Sequence, residues 1–489
     1  MKHLKNAALC GLFLALLIAS LLGINGILEG KYLLKNSDWP TTSTYRQFYE
    51  MEEDSIDVLF LGSSLVVNAV IPQEIYNEYG IRSYNLASEQ QSIFLSYYWL
   101  REALRFQHPA AVVLDTKFMW LIHPESVINT TEALTRKCLT PMKWSPVKRE
   151  AVHELCRLDP AQSELSYYLT NIRFHSRWTE LQEYDLSPAM LGAGSLMGYG
   201  PLTAPGLESF ETFESADTSV TTEFLPLMQE YLDKITALCR EEGIRLILIS
   251  LPGNDMNDEA HNSYTRYAEE NGLDYYNFCS TEIYRDIGAE LPEENIVWHA
   301  NVWGAVKESR YIGGLLRDTC GLPAVRDEQY ERAKTVWAQA LRSAELVRIG
   351  DQAEYLRALC DPGFAVFLAV QGNAGNVLPA EPIREGLRGL GLQVRAERPP
   401  CSFAAVVLAG EVAAEESGDW PIFLSGSFRG GRAVYTLQSN GENLAPSSSI
   451  VVEGVPCSRQ EPGLNIAVYD LQTNRLIDRV TLRGAELVR

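Results

Sequence analysis

The sequence D-V-L-F-L-G-S-S-L-V-V, residues 57–67, decides the fold of the first half of the chain. Four consecutive apolar residues, Val58 to Leu61, are followed at once by turn residues, which is typical of a strand covered on both faces. Gly62 allows a sharp turn, and Ser64 then follows the carboxyl end of the strand, where open α/β sheets bind their ligands. The stretch therefore indicates a reactive or ligand-binding serine. The alternative is that these glycine and serine residues form only a polar turn.

The alternation of strands and helices continues to about residue 320. Strands are predicted at 58–61, 81–86, 110–114 and 244–251, and helices at 95–106 and 225–241. This order is typical of a parallel sheet with crossover helices, and we predict an α/β domain over residues 55–325. Between 122 and 222 the alternation lapses into a long insertion rich in Trp, Tyr and His, which we expect to form a cap or a binding wall.

The first thirty residues contain a nearly uninterrupted apolar run. Two lysines precede it, and between residues 7 and 28 only Ser20 and Asn25 are polar. About 20 apolar residues span a bilayer as a helix, and preceding basic residues keep the amino terminus in the cytoplasm. We therefore predict a transmembrane signal anchor at 1–30 and a polar tether at 31–54. The rest of the chain would lie outside the cell membrane, held by this single span; a cleaved signal peptide and a buried core helix are the alternatives.

The composition of the 489 residues argues against one class of partner. There are 42 basic and 63 acidic residues, a net charge of -21, whereas nucleic-acid binding needs clustered Lys and Arg. The nine cysteines are widely spaced without a C-x-x-C pair, so a zinc site of the usual spacing is not expected. Eight of them lie beyond the first segment and would be able to form disulfides in an exported chain, with connectivity left open. No cluster of His, Cys and carboxylates indicates a metal, and no cofactor is expected.

A second reactive group lies near the end of the α/β region, in W-H-A-N-V-W-G-A at 298–305. A helix is predicted to follow at 307–316. His299 directly before a helix, with Asn301 two residues later and Gly304 at a turn, is a setting for a general base. The alternative is that His299 is a packed, hydrogen-bonded core residue.

Three sequence blocks together resemble the SGNH/GDSL hydrolase superfamily. They are Gly62-Ser63-Ser64, Tyr84-Asn85-Leu86-Ala87-Ser88 and His299-x-Asn301-x-x-Gly304-Ala305. Within that superfamily the chain looks most similar, over about residues 50–320, to membrane-anchored extracytoplasmic proteins related to DltD and to bacterial polysaccharide O-acetylation proteins. The resemblance implies a flavodoxin-like sheet with flanking helices, with Ser64 as nucleophile and His299 as its base. It also implies an oxyanion hole made by the amides of Ser64 and of the Ala87-Ser88 turn.

The chain departs from the family pattern at three places. The family aspartate three residues before the histidine is replaced by Ile296, and either Glu294 or a backbone carbonyl would orient the imidazole instead. Ala87 stands in place of a glycine, and Asp115-Thr116-Lys117 stands where an asparagine block is expected. Because loss of the orienting carboxylate can cost orders of magnitude in rate, a catalytically degenerate relative is an open alternative.

Within the insertion, His175-Ser176-Arg177-Trp178 resembles a stretch at the same place in that subfamily. His175, Arg177 and Trp178 are therefore candidate substrate residues. Arg177 would hold an anionic group and Trp178 would stack on a sugar. The alternative is an amphipathic helical turn with a buried tryptophan and a surface arginine.

The last third of the chain has a different character. Residues 326–359 are charged and periodic, as expected of a helical linker, and residues 360–489 show short strands separated by Gly, Asn and Asp, typical of a mixed sheet or β-sandwich. This part resembles the interleukin-like EMT inducer (ILEI) domain in F-A-V-F-L-A-V (364–370), G-L-G-L (389–392), S-F-A-A-V (402–406), S-N-G (439–441) and G-L-N-I-A-V-Y-D (463–470). The resemblance implies glycan recognition; a role in packing or dimerisation is the alternative.

These features lead to one main hypothesis. The chain would be a membrane-anchored extracytoplasmic serine acyl-transfer enzyme, an O-acetyl- or acyltransferase or an esterase, acting on cell-surface polysaccharide. A membrane-bound O-acyltransferase is a candidate partner. The competing hypothesis is a catalytically degenerate glycan-binding or scaffold protein of the cell envelope, and assembly within a secretion complex is a third.

Overall fold

The computed structural model describes residues 2–29, 41–117, 132–181, 183–186, 196–206, 211–253, 256–296, 299–393, 401–431, 433–441, 445–472 and 475–489. The first ten residues of the predicted tether, part of the predicted insertion and Trp298 lie outside this description. Two compact units are present. One comprises Met1–Leu202 with Gly206–Tyr330, and the other Thr203–Pro205 with Glu331–Arg489.

The chain begins with a long apolar helix, α1 (Lys2–Leu28). Its segment Lys5–Leu28 has a mean hydropathy of 2.6 and is long and apolar enough to cross a membrane. Side chains from residue 5 to 24 are exposed to the surroundings, whereas Asn25 and Leu28 are buried against the protein. The predicted apolar helix is therefore present, and only its last turn packs on the rest of the unit.

A five-stranded parallel sheet forms the centre of the first unit. Its strands are β1 (Val58–Gly62), β2 (Ser83–Ala87), β3 (Ala111–Asp115), β4 (Arg245–Ser250) and β5 (Asp274–Asn277). The spatial order is β2-β1-β3-β4-β5, and all neighbours are parallel. This order is that of flavodoxin-like sheets, in which ligands bind beyond the carboxyl ends of the strands at β1 and β3. The predicted parallel α/β sheet is confirmed.

Helices surround this sheet. They are α2 (Thr41–Phe48), α3 (Ser64–Ala69), α4 (Pro72–Tyr79), α5 (Ile93–Ala103), α6 (Glu132–Leu139), α7 (Pro146–Leu158), α8 (Leu165–Tyr168), α9 (Asn171–Phe174), a 3-10 helix (His175–Thr179), α10 (Glu183–Leu186), α11 (Pro226–Glu241), α12 (Asp258–Asn271), α13 (Thr281–Ile287) and α14 (Val302–Cys320). A short hairpin of β6 (Asn295–Ile296) and β7 (His299–Ala300) precedes α14. The described parts of the predicted insertion are mainly short helices.

Part of the predicted tether is ordered structure. Helix α2 buries Tyr45 and Phe48, and the Tyr45 ring stacks on Trp99 at a centroid distance of 4.2 Å. The Tyr45 hydroxyl donates a hydrogen bond to Gln91 (2.8 Å). Polar composition alone concealed this helix, because its two buried aromatic residues are spaced three apart among Thr, Ser, Arg and Gln.

The second unit is a β-sandwich covered by helices. Its elements are α15 (Glu328–Arg348), α16 (Gln352–Ala358), β8 (Phe364–Gln371), α17 (Ala374–Val377), α18 (Ile383–Gly389), β9 (Ser402–Leu408), β10 (Glu411–Gly418), β11 (Ile422–Phe428), β12 (Ala433–Asn440), β13 (Ser447–Val452), β14 (Val455–Pro456), β15 (Gly463–Asp470), β16 (Arg475–Arg483) and β17 (Glu486–Val488). One sheet has the order β10-β9-β8-β15-β16-β17 and the other β11-β12-β13-β14, and both are antiparallel.

Two apolar cores hold the second unit together. Alternate residues of β8 point to opposite faces: Phe367 packs against the four-stranded sheet, whereas Leu368 packs against the helices. Tyr355 and Leu356 of α16 belong to the core on the helical side. The helices predicted as a linker therefore contribute to this unit's core. None of the nine cysteines, which all lie in the described part of the chain, is in a disulfide.

The turn after β1 leaves no room for a side chain at Gly62. Its φ is +154°, which L-residues rarely adopt, and a Cβ there would lie 2.5 Å from Asp115 Cβ and 2.9 Å from Val66 Cγ2. The glycine is therefore required both by backbone conformation and by the close approach of β3.

We expect Gly62→Ala to lower the free energy of unfolding by about 3 kcal/mol, because backbone strain of ~1–3 kcal/mol adds to the steric overlap. Urea unfolding followed by circular dichroism measures the loss. Gly243→Ala is the matched control: its φ is +70° and no atom lies within 4 Å of the added Cβ. Equal losses in the two variants would contradict the packing explanation.

Candidate functional site

The two serines after β1 have different surroundings. Ser63 is the N-cap of α3: its Oγ accepts a hydrogen bond from the Leu65 amide (3.2 Å) and donates one to Asp115 Oδ2 (2.8 Å). Ser64 is the first residue of α3, so its amide has no partner carbonyl within the helix. Ser63 thus fixes the turn to the neighbouring strand, and Ser64 is the serine presented at the carboxyl end of β1.

The structure brings the two reactive sequence blocks together. His299 Nε2 lies 2.9 Å from Ser64 Oγ, within hydrogen-bonding distance. The histidine is carried by β7, where it pairs with Ile296 of β6, and the helix α14 begins three residues later. A serine hydroxyl hydrogen-bonded to an imidazole is the arrangement in which the imidazole can accept the hydroxyl proton.

The charge state of His299 follows from its surroundings. Burial, and to a smaller extent the cation of Lys117, lower the pKa of His299 to about 4, while the carboxylate of Glu89 opposes the shift. The imidazole is therefore neutral at pH 7, as a proton acceptor must be.

Three charged residues at this edge of the sheet were not among the sequence-predicted site residues. Asp115 ends β3 and binds Ser63. Lys117 follows it and donates to the Gly253 carbonyl oxygen (3.2 Å), while Glu89 follows the second sequence block and accepts from Lys137 (2.6 Å). Their positions just after β3 and β2 were the available signal, because carboxyl ends of adjacent parallel strands converge.

Glu294 has different partners from the expected ones. Its Oε2 accepts hydrogen bonds from Lys307 Nζ and from the Glu290 amide, both at 2.7 Å. The carboxylate thus joins the loop before β6 to helix α14 and is not directed at the imidazole. Nearness in sequence to His299 was misleading, because the hairpin places the side chain of Glu294 toward the helix.

Asn301 joins the hairpin that carries His299 to helix α14. It is the N-cap of α14: its Oδ1 accepts from the Gly304 amide (3.3 Å) and its Nδ2 donates to the Glu293 carbonyl oxygen (2.6 Å). Asn301 is fully buried, and a Cβ on Gly304 would overlap the carbonyl oxygen of Glu294. These two residues fix the hairpin against the helix and so position His299.

The second sequence block also has a mainly structural role. Ala87 lies opposite Gly62 in the sheet, and the Ser88 amide donates to the Gly62 carbonyl oxygen (3.3 Å). The Ser88 hydroxyl is buried within hydrogen-bonding reach of Tyr45 and Cys138. The Ser88 amide therefore has a partner in the sheet, whereas the Ser64 amide, at the start of α3, has none within its helix.

The predicted substrate residues of the insertion are next to the end of helix α1. The Arg177 guanidinium binds the Leu28 carbonyl oxygen at the end of α1 and forms an ion pair with Asp185 (2.9 Å). His175 Nδ1 lies 3.1 Å from the Ile172 carbonyl oxygen, and Trp178 is 70% exposed. The alternative of a buried tryptophan and a surface arginine is thus reversed: the arginine is the more enclosed of the two.

Among the described residues, no group of three or more His, Cys, Asp or Glu side chains is arranged to hold a metal ion. The charged groups around the Ser64–His299 pair instead belong to hydrogen bonds and ion pairs of the protein itself.

Comparison with known proteins finds no match for this chain among protein-family models, curated proteins or solved structures. The chemistry assigned to the site consequently depends on its geometry: a serine at a strand end, a neutral histidine bonded to it, and a lysine nearby.

The first prediction of the site concerns pH. If Ser64 is acylated by an activated ester such as p-nitrophenyl acetate, that step needs neutral His299, so its rate should fall only as the pH drops through about 4. Lys117→Met should move this acid limb to higher pH, because a cation that disfavours the imidazolium has been removed. The rate of p-nitrophenol release in the first turnover, measured against pH, gives the limb.

Lys234→Met is the matched control, since Lys234 pairs with Glu230 on an exposed helix face. A wild-type limb in the usual range of histidine, or no shift in Lys117→Met, would contradict the electrostatic description.

A second carboxyl group near Glu294, that of Glu308 on α14, is fully buried. Neither carboxylate oxygen of Glu308 has a hydrogen-bond partner among the described residues. Burial, with a smaller contribution from the Glu294 carboxylate, raises the pKa of Glu308 to about 8. Glu308 is therefore protonated at neutral pH.

This predicts a specific pH dependence of stability. The unfolded chain releases the Glu308 proton near the usual value of about 4.5, whereas the folded chain holds it until about 8, so the free energy of unfolding should fall as pH rises between them. Glu308→Gln should flatten this fall, and exposed Glu230→Gln should not. Urea unfolding between pH 5 and 8 tests it on a scale of ~1.4 kcal/mol per pKa unit. Parallel pH profiles for all three proteins would exclude the buried acid.

Proposed function

We propose that the chain is a membrane-anchored, extracytoplasmic serine acyl-transfer enzyme that acts on cell-surface polysaccharide. The observation that carries the proposal is the 2.9 Å contact between Ser64 Oγ and His299 Nε2 at the carboxyl end of β1. It is the arrangement expected from resemblance to the SGNH hydrolases. The length and hydropathy of α1 support the anchoring.

The proposed reaction has two halves. Ser64 Oγ attacks the carbonyl carbon of an acyl ester while His299 Nε2 takes the hydroxyl proton. The tetrahedral intermediate collapses, the leaving alcohol receives that proton, and an acyl ester on Ser64 remains. In the second half His299 removes a proton from a sugar hydroxyl or from water, the resulting oxygen nucleophile attacks the acyl carbon, and Ser64 recovers its proton. The first acceptor gives an acyltransferase and the second an esterase.

The electrostatics of the site favour stabilisation of negative charge. The cation of Lys117 makes the imidazolium of His299 less stable, which is unfavourable for proton transfer from Ser64. The same cation would favour the oxyanion that forms at the acyl carbonyl, beside the Ser64 amide. We infer that Lys117 compensates in part for the absent orienting aspartate by lowering the energy of the intermediate.

The second unit would contribute glycan recognition, as its resemblance to the ILEI domain implies. It exposes two large aromatic side chains, Trp420 (54% exposed) and Phe423 (66% exposed), near the start of β11. The indole nitrogen of Trp420 donates to Glu416 (3.0 Å), which holds the ring in place. Ordered, exposed aromatic faces of this kind can stack on sugar rings.

A catalytically degenerate scaffold is the second candidate function. The observation that favours it is the commitment of Glu294 to Lys307, which leaves Ile296 as the residue at the family's aspartate position without a substitute from Glu294. In that case the α/β unit would bind glycan without turning over an acyl ester.

Burst kinetics with p-nitrophenyl acetate on the full chain in detergent micelles separate the two functions. The acyl-transfer proposal predicts a stoichiometric burst that is lost in Ser64→Ala and reduced at least 100-fold in rate in His299→Gln. Ser63→Ala is the matched control: it removes the adjacent hydroxyl, which binds Asp115 and not His299, and should keep the burst. A burst in Ser64→Ala would exclude Ser64 as the nucleophile, and the absence of both a burst and acetate release from acetylated polysaccharide in the wild type would support the scaffold.

The same experiment with polysaccharide as acceptor tests the second unit. Transfer of the acetyl group to polysaccharide should fall in Trp420→Ala while the burst stays unchanged, because Trp420 would act on the acceptor alone. Val412→Ala, which also changes an exposed apolar residue of this unit, is the control. Unchanged transfer in Trp420→Ala would exclude this tryptophan from acceptor binding.

A further inference from the structure

The end of the apolar helix α1 is fixed to the α/β unit by polar contacts. Asn25 Oδ1 accepts a hydrogen bond from the Asn171 amide (3.1 Å), and Arg177 donates to the carbonyl oxygens of Leu28 and Glu29 (both 2.8 Å). Asp185, whose side chain is fully buried, holds the other side of the guanidinium. These contacts satisfy the last carbonyls of α1 with a cation, as helix carboxyl ends favour.

The short helices that make these contacts also expose large apolar side chains. Helices α9 and α10 and the 3-10 helix each contact α1, and α8 contacts α9. Six apolar side chains on these helices or beside them are exposed, and we call them the interfacial patch: Trp144, Leu165, Leu169, Ile172, Trp178 and Leu186. Trp178 and Leu186 are 70% and 66% exposed. So many exposed apolar residues in one region indicate a binding surface.

Trp144 of the patch is in an aromatic stack beside a buried lysine. Trp144 stacks on Tyr168 of α8 at a centroid distance of 5.0 Å, and Lys148 Nζ lies 4.5 Å from the centroid of the Trp144 ring. Tryptophan and tyrosine are enriched where a protein crosses from hydrocarbon to water, and short helices with an apolar side lie in that zone.

We propose that the interfacial patch inserts into the outer-leaflet interface of the lipid bilayer that α1 crosses. The argument is continuity: α1 exposes Leu22 and Ile24 to its surroundings, and one turn later its end is bound by the same helices that carry the patch. A bilayer around α1 therefore reaches the patch without any further partner. The proposal rests on the membrane anchoring proposed above. It gives the α/β unit two attachments to the membrane, a spanning helix and a surface contact, and so a fixed orientation.

The test uses the full chain reconstituted into vesicles of phosphatidylcholine and phosphatidylglycerol whose acyl chains carry bromine near the headgroup end. Bromine quenches the fluorescence of tryptophans in contact with lipid. The fraction of quenched fluorescence should fall in Trp178→Phe and in Trp144→Phe, because each removes a quenched fluorophore. It should rise in the control Trp99→Phe, which removes a tryptophan that is fully buried in the α/β unit.

The outcomes separate this inference from the anchoring itself. If the chain floats with the vesicles but Trp178→Phe and Trp144→Phe raise the quenched fraction as Trp99→Phe does, the patch is not in lipid and the inference is wrong, while the anchoring stands. That result would leave a protein partner as the occupant of the patch. If the chain does not float with the vesicles, anchoring and inference both fail. Vesicles brominated near the chain ends should quench Trp178 less, since an interfacial residue lies shallow in the leaflet.

Discussion

One hydrogen bond, between Ser64 and His299, is the contact on which the proposed function depends. The two residues are 235 positions apart in sequence, yet Ser64 Oγ lies 2.9 Å from His299 Nε2 in the folded unit. Several other residues hold them in this position. Gly62 lets β1 turn against β3, Ser63 caps α3 and binds Asp115, and Asn301 caps α14 behind the hairpin that carries the histidine. Ser63 and Asn301 each provide a buried polar side chain with hydrogen-bond partners, and such contacts fix the position of the neighbouring backbone.

The electrostatic character of this pair differs from that of a serine–histidine–aspartate triad. In a triad, a carboxylate stabilises the imidazolium. Here burial and Lys117 destabilise it, and the carboxylate of Glu89 acts weakly against them. Such a site is a poorer proton acceptor but a better environment for an anion, so its rate would depend strongly on how well the oxyanion is held. Slow chemistry with a demanding substrate is the behaviour expected of this balance.

Much of the sheet was readable from sequence because its strands are continuous apolar runs. Strands β1, β3 and β4 follow V-L-F-L, A-V-V-L and R-L-I-L-I closely, whereas β5 was missed because D-Y-Y-N is a half-buried edge strand with polar ends. The pairing of Ser64 with His299 was expected from the resemblance of the sequence blocks to the SGNH hydrolases, and the two side chains do lie within hydrogen-bonding distance. The sequence did not reveal which partners individual charged side chains bind. The Glu294 carboxylate binds Lys307 on α14, and Arg177 binds the Leu28 carbonyl oxygen at the end of α1. Both pairings are set by tertiary contacts.

Acylation of Ser64 is tested most directly by locating the covalent adduct that it leaves on the protein. The full chain is incubated with an activated acetyl ester, quenched in acid before deacylation and digested, and the acetylated peptide is sequenced by mass spectrometry. We expect one acetyl group, on Ser64, with Ser63 unmodified. This adduct should be absent when His299 is replaced by Gln. An acetyl group on Ser63 or on Lys117, or labelling of Ser64 that does not depend on His299, would contradict it.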